Sequence, residues 1–233
     1  MKNIHLWDPA TGAGIDLDIL RQAATALVTY AVNGDAGRNI GDTVFNEITE
    51  GRAGGKGYSS CGDLCHWMMK CLGCRDESIV NRNDDGGKVP WVSGANLSRI
   101  VYHTGAAWTP SHQGVFASPG DIIYLALPPD PMKEHVLVVL SHDANQLISC
   151  DYGQFFNGKA GGKKRIRKVS MIGSAMYADD RKIMGWVNIT KIPLTTTASV
   201  PDDFVGGVPV VEDGLLATEE DNSPANDESC TPR

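Results

Sequence analysis

No stretch of this 233-residue chain approaches the roughly 18 consecutive apolar residues that a membrane-crossing helix requires, so membrane insertion is not expected. The opening MKNIHLWDPATGAG lacks the apolar core of a secretory leader, which predicts synthesis in the cytoplasm and, for any export, a route that reads another signal. Positive charge is scarce. The 21 Lys and Arg against 28 Asp and Glu leave a net charge of −7, which argues against general binding to nucleic acid or to an anionic membrane. The spacing of a phosphate loop is also missing: Gly51, Gly54, Gly55 and Gly57 surround Lys56, but no Ser or Thr follows the lysine, so nucleotide binding is rejected. There is no internal repeat, and no H-x-H or H-x3-H pair to begin a metal site.

Hydrophobic residues are not lacking: at 42% they suffice for a sizeable core. Four of the six cysteines (Cys61, Cys65, Cys71 and Cys74) crowd into one short segment. Positions i and i+4 of a helix hold their Cβ atoms too far apart for a disulfide. Cys71-Leu-Gly-Cys74 is a C-x-x-C, which raises a redox or zinc role, but Cys150 and Cys230 stand alone and supply no second ligand pair. Buried, reduced thiols with no metal and no cofactor are the expectation.

The stretch Tyr58-Ser-Ser-Cys61-Gly-Asp-Leu-Cys65-His-Trp-Met-Met-Lys-Cys71-Leu72 singles out one of these thiols. Ser60 and Asp63 have the S-x-x-D spacing of a capping box, and Leu64, Met68 and Leu72 follow Cys61 on one helical face. A thiol at a helix start lies near unsatisfied N–H groups and the positive end of the dipole, which favour the thiolate and hence a nucleophile. Cys65, one turn deeper, reads as packing, and His66 as a residue on the surface or against a sheet.

Elsewhere the pattern predicts a helix over 16–32, a turn-rich insertion at about 75–115 with a short helix around 94–103, and then a run of strands. Ser118-Pro-Gly-Asp121 leads into IIYLAL. His135-Val-Leu-Val-Val-Leu140 follows a proline-rich loop, a turn at 142–145 leads into Gln146–Asp151, and a glycine-rich break at 157–162 precedes KKRIRKVSMI. Gly185-Trp-Val-Asn-Ile-Thr190 reads as the closing strand. Lys163–Lys168 reads as a solvated strand face, and His103, His112 and His142 as loop residues. The fold class expected is α+β, with N-terminal helices and the nucleophile helix packed on an antiparallel sheet. The domain is expected over 1–193, and 194–233 as an acidic, disordered tail.

A turn at 142–145 would bring His135 and Asp151 to the same open end of one hairpin. The carboxylate could then orient the imidazole, whose other nitrogen would face Cys61. Ser149, Gln154 and Asn157 compete with Asp151 for the third position.

The order of a cysteine at a helix start, a Pro-Gly-Asp strand and a His-Val-hydrophobic strand resembles the papain-like cysteine peptidases and amidases of the NlpC and CHAP type, over roughly residues 15–192. The resemblance implies a papain-like fold with Cys61 as nucleophile, His135 as base and Asp151 as third member. It also implies hydrolysis of an amide in the peptide part of bacterial peptidoglycan. An aspartate in third place, without a leader, is more like the antibacterial amidase effectors (toxins) of type VI secretion, while a phage wall hydrolase would share these features. Delivery to the periplasm or wall of a target cell is then expected, with an immunity protein or a secretion-machine component as protein partner. The alternatives are a papain-like protease or deamidase acting on a protein, and a non-catalytic binding module of the same fold.

Overall fold

A computed structural model describes residues 1–7, 14–34, 43–49, 61–80, 97–127, 130–156 and 159–209. A short strand, β1 (Lys2–His5), precedes the helices α1 (Leu17–Gly34), α2 (Thr43–Thr49), α3 (Cys61–Cys71), α4 (Glu77–Val80) and α5 (Leu97–Thr104). A single 3-10 turn leads to β2 (Trp108–Pro110), β3 (Ile122–Leu127), β4 (Asp130–His142), β5 (Gln146–Phe156) and β6 (Lys159–Ile172). The strands β7 (Ala175–Ala178), β8 (Arg181–Val187), β9 (Thr197–Val200) and β10 (Val208–Pro209) complete the described elements. The α+β class expected from the sequence is what this mixture of helix and antiparallel sheet shows.

The large sheet runs β2-β8-β3-β4-β5-β6-β7, and β7 pairs in turn with β8, so six antiparallel strands close into a barrel with β2 on its flank. An antiparallel sheet was expected, but its closure was not. Register shifts break the ladders of β3 with β4, β3 with β8, β4 with β5 and β5 with β6. Such bulges sharpen twist and coil a sheet on itself.

Period-2 alternation sorts the strand residues into two cores. Ile123, Leu125, Leu137, Val139, Leu147 and Val169 pack with one another inside the barrel. Tyr124, Val136, Val138, Cys150 and Tyr152 point the other way and join the core made with the helices. The middle of α3 is buried from Gly62 to Met69 rather than on one face alone, as befits a helix enclosed by neighbours. It lies against β4 and β5 on one side and α1, α2 and α4 on the others. His66 is among these buried residues, not at the surface.

Asp16 caps α1 by accepting from the backbone N–H groups of Asp18 and Ile19, at 2.8 and 3.1 Å. Asp121 of the Pro-Gly-Asp turn is a buried junction. It accepts from Arg21 of α1 at 3.0 Å, from Ser118 N–H at 2.9 Å and from Ile189 N–H at 3.2 Å. Burial pushes its carboxyl up from the ordinary value, against these bonds and the Arg21 charge.

Three expectations are corrected. Of the glycine-rich stretch at 157–162 expected as a break, the described part belongs to β6, which begins at Lys159. Gly162 is there for clearance: a Cβ would sit 3.0 Å from the Tyr152 ring and 3.3 Å from the Ala31 carbonyl of α1. Segment 194–209 is not tail, since β9 and β10 flank β1 in a second, three-stranded sheet and Ala198, Val200 and Phe204 are core residues. The remainder of the expected tail, and Ser60 of the capping box, lie outside the described residues. The strand expected at Gly185–Thr190 is β8, which runs over Arg181–Val187 and closes the large sheet rather than the chain.

Candidate active site

The barrel's interior rows change character from one end to the other. Leu137 and Val139 of β4, Leu147 of β5 and Val169 of β6 are apolar. Two residues further along the same rows stand His135, then Ser149 and Asp151, then Arg167 and Arg165, because strand neighbours on one face are two apart. His135, Asp151 and Arg167 are nearly sealed, at 5%, 1% and 5% exposed.

His135 Nε2 donates to Asp151 Oδ2 at 2.9 Å. An ionised carboxylate only accepts, so Nε2 carries the hydrogen and Nδ1 is the nitrogen left for another partner. Cys61 is the candidate for that place, since a side-chain hydrogen bond with it is among the influences that raise the His135 pKa. Cys61 is half-buried at the first residue of α3, where the backbone N–H groups have no helical acceptor. The three residues picked from the sequence are therefore brought together, with the imidazole in the middle.

Burial disfavours a charged imidazole, but the hydrogen bonds to Asp151 and Cys61 outweigh it and raise the His135 pKa from its ordinary value. Burial likewise opposes a charged Asp151. The hydrogen bonds and positive charge supplied by His135 and Arg167 prevail and hold it well below the usual carboxylate range.

Two further residues complete the cluster. Ser149 Oγ donates to Asp151 Oδ1 at 2.7 Å. Ser149 had been a competitor for the third position, and it supports Asp151 instead. Arg167 Nη1 donates to Asp151 Oδ1 at 3.0 Å and to Ser149 Oγ at 2.7 Å, while Nη2 donates to Asp151 Oδ2. Arg165 Nε stands 3.8 Å from the same carboxylate. The solvated face expected for Lys163–Lys168 is thus only half right. Lys164 and Lys168 are exposed, whereas Arg167 is buried. The signal was strand parity. Arg167 pairs with Leu147 and Arg165 with Ser149, so the odd-numbered residues of β6 share the face of Asp151. Of the other candidates, Gln154 pairs through its backbone with Gly161 beyond a register shift, and Asn157 lies outside the described residues.

A polar cavity of about 180 Å³ opens beside His135 and Asp151, walled by Arg165, Arg167 and the β7–β8 turn. A larger cleft of about 910 Å³ follows α1 past Arg21, Tyr30 and Phe204 and includes none of the three residues. Nor do Cys65, Cys71 and Cys74 share the site's environment. Burial raises Cys65 well above the ordinary thiol value and pushes Cys71 up to about 12 and Cys74 to about 11. Among the described residues no group of three or more His, Cys, Asp or Glu side chains is arranged to hold a metal. His142, at the end of β4, accepts the Ala117 N–H on Nδ1 and packs between Phe116 and Trp186. Among the described residues no helix is long and apolar enough to cross a membrane.

Comparison with known proteins gives no family model, no curated protein and no solved structure that matches the chain.

Proposed function

We propose that this chain is a cysteine hydrolase of papain-like arrangement, with Cys61 as nucleophile, His135 as general base and acid, and Asp151 as the group that orients the imidazole. One observation carries the reading: His135 lies between a half-buried thiol at a helix start and a buried carboxylate that fixes its tautomer. The proton of Cys61 passes to His135 Nδ1 as the thiolate adds to an amide carbonyl. The backbone N–H at the start of α3 supports the oxyanion. Collapse of the adduct breaks the C–N bond, and the imidazolium gives its proton to the leaving amine. Water, deprotonated by the same imidazole, then cleaves the thioester and restores the thiol.

The substrate rests on the resemblance and not on geometry. It is an amide in the peptide part of bacterial peptidoglycan, and the biological setting is an antibacterial effector or a phage wall hydrolase. Digestion of purified peptidoglycan by the protein and by Cys61→Ala, with mass analysis of the fragments, tests it. New peptide fragments from the first alone are expected, and identical fragment patterns would sink the hydrolase. Toxicity supplies a second test. Export to the periplasm should lyse producing cells, whereas harm confined to cytoplasmic expression would favour a protease or deamidase with a protein target.

A further inference from the structure

We propose that Arg167 is a positioning residue of this site, which locks the Asp151 carboxylate in the plane that His135 needs and offsets its negative charge. The inference rests on the hydrolase reading and extends it to a residue of β6. Arg167 is buried, and its fork is spent on the very carboxylate that holds the histidine, with a third bond to Ser149. A guanidinium whose task was only to join β6 to β5 would be replaceable by an apolar side chain, since buried ion pairs add little net stability over well-packed hydrophobic groups. Its burial is better explained by what it fixes. With Oδ1 taken by Ser149 and Arg167, and Oδ2 shared between Arg167 and His135, the carboxylate cannot turn without breaking several bonds at once.

The charge matters as well as the geometry. His135 is faced by Cys61 from α3, by Asp151 from β5, by Arg165 and Arg167 from β6, and by Asp179, Asp180 and Arg181 from the β7–β8 turn. Arg167 is the cation bonded directly to the carboxylate that holds the imidazole. Removing it leaves Asp151 to act on His135 with an uncompensated charge, which favours the imidazolium.

The decisive measurement is the His135 titration by NMR in the full chain, with its signal assigned by loss in His135→Gln. Arg167→Gln removes the charge, and Arg167→Lys keeps the charge but loses the fork. The midpoint is expected to rise by about one pKa unit in Arg167→Gln and to stay within about 0.3 unit of wild type in Arg167→Lys. A folded Arg167→Gln with an unmoved midpoint overturns the proposal. Should Arg167→Gln fail to fold, Arg167→Lys decides through alkylation of Cys61 by iodoacetamide at pH 6. The rate should fall about tenfold because the imidazole is no longer held in place, and an unchanged rate overturns the proposal. The two readings fail separately. A shifted midpoint without Cys61-dependent hydrolysis removes the hydrolase and leaves the Arg167 coupling, whereas hydrolysis with an unmoved midpoint does the reverse.

Discussion

Cys61 and Cys71 stand at opposite ends of α3 and are both half-buried, yet their surroundings differ in every other respect. Cys61 is in contact with His135, which is in turn held by Asp151. Cys71 has its thiol pushed up to about 12, first by burial and then by the negative charge of Glu47, against a smaller pull from Lys70. The helix dipole adds to the contrast, since its N-terminal end favours an anion and its C-terminal end opposes one. Partial burial therefore does not decide what a cysteine can do. The neighbouring groups do, and among the described residues it is the Cys61 end of α3 that meets an imidazole.

The largest expected effect separates the two ends directly. Cys61→Ala should reduce hydrolysis by about a thousandfold or more, as removal of a nucleophile does elsewhere, while Cys71→Ala should stay within a few-fold of wild type. Loss of activity in a folded Cys71→Ala would collapse the comparison.

Next comes Asp151→Ala, which strands the buried Arg167 guanidinium. A loss of about 3–5 kcal/mol in urea unfolding is expected, as for other broken buried pairs. A loss below about 1 kcal/mol would mean that the pair behaves as an exposed one.

At the other end, Gly73 follows α3 with φ +72°, and a Cβ there would collide with the Thr195 hydroxyl and the Thr197 carbonyl. Gly73→Ala should lower stability by about 1–3 kcal/mol, the usual range for overpacking, and leave the iodoacetamide reactivity of Cys61 untouched. A matching fall in that reactivity would show that the two ends are not independent.

The smallest effect is one of pH. His135 has a raised pKa when folded, so it contributes stability that is full below about pH 6.5 and is lost as pH rises through the folded value. His142, lowered by burial to about 4, acts in the opposite sense, but only between about pH 4 and 6.5. Asp151, held low, contributes stability above about pH 4 that is lost on further acidification. Urea midpoints should therefore decline above pH 6.5 in the wild type and decline less in His135→Gln. Equal slopes would remove His135 as the cause.

The sequence made the thiol, the histidine and the aspartate legible because each lies by a recognisable signal: a helix start, an apolar run after a group of prolines, and the far arm of the same hairpin, although β4 begins at Asp130 and β5 runs to Phe156, so that His135 and Asp151 lie inside their strands. It hid Arg167, because the glycines at 157–162 suggested a break and so concealed the β5–β6 register that places odd-numbered residues inside. It also hid barrel closure, which depends on bulges and on the short β7–β8 pairing of Tyr177 with Lys182 and Ala178 with Arg181. The β9 strand escaped notice because Thr197–Val200 is four residues long and gains its place only by pairing with β1 at the other end of the chain.

His135, Asp151 and Arg167 come from three consecutive strands, each 16 residues after the last, whereas Cys61 arrives from a distant helix. The strand meander joins near neighbours in sequence, whereas contact between thiol and imidazole needs the long-range docking of α3 on β4 and β5, the class of contact that tends to form more slowly. Without that docking, Cys61 lacks the imidazole that sets it apart from the other cysteines of α3. On the proposed hydrolase reading, the nucleophile gains its base only when α3 and the strands have come together.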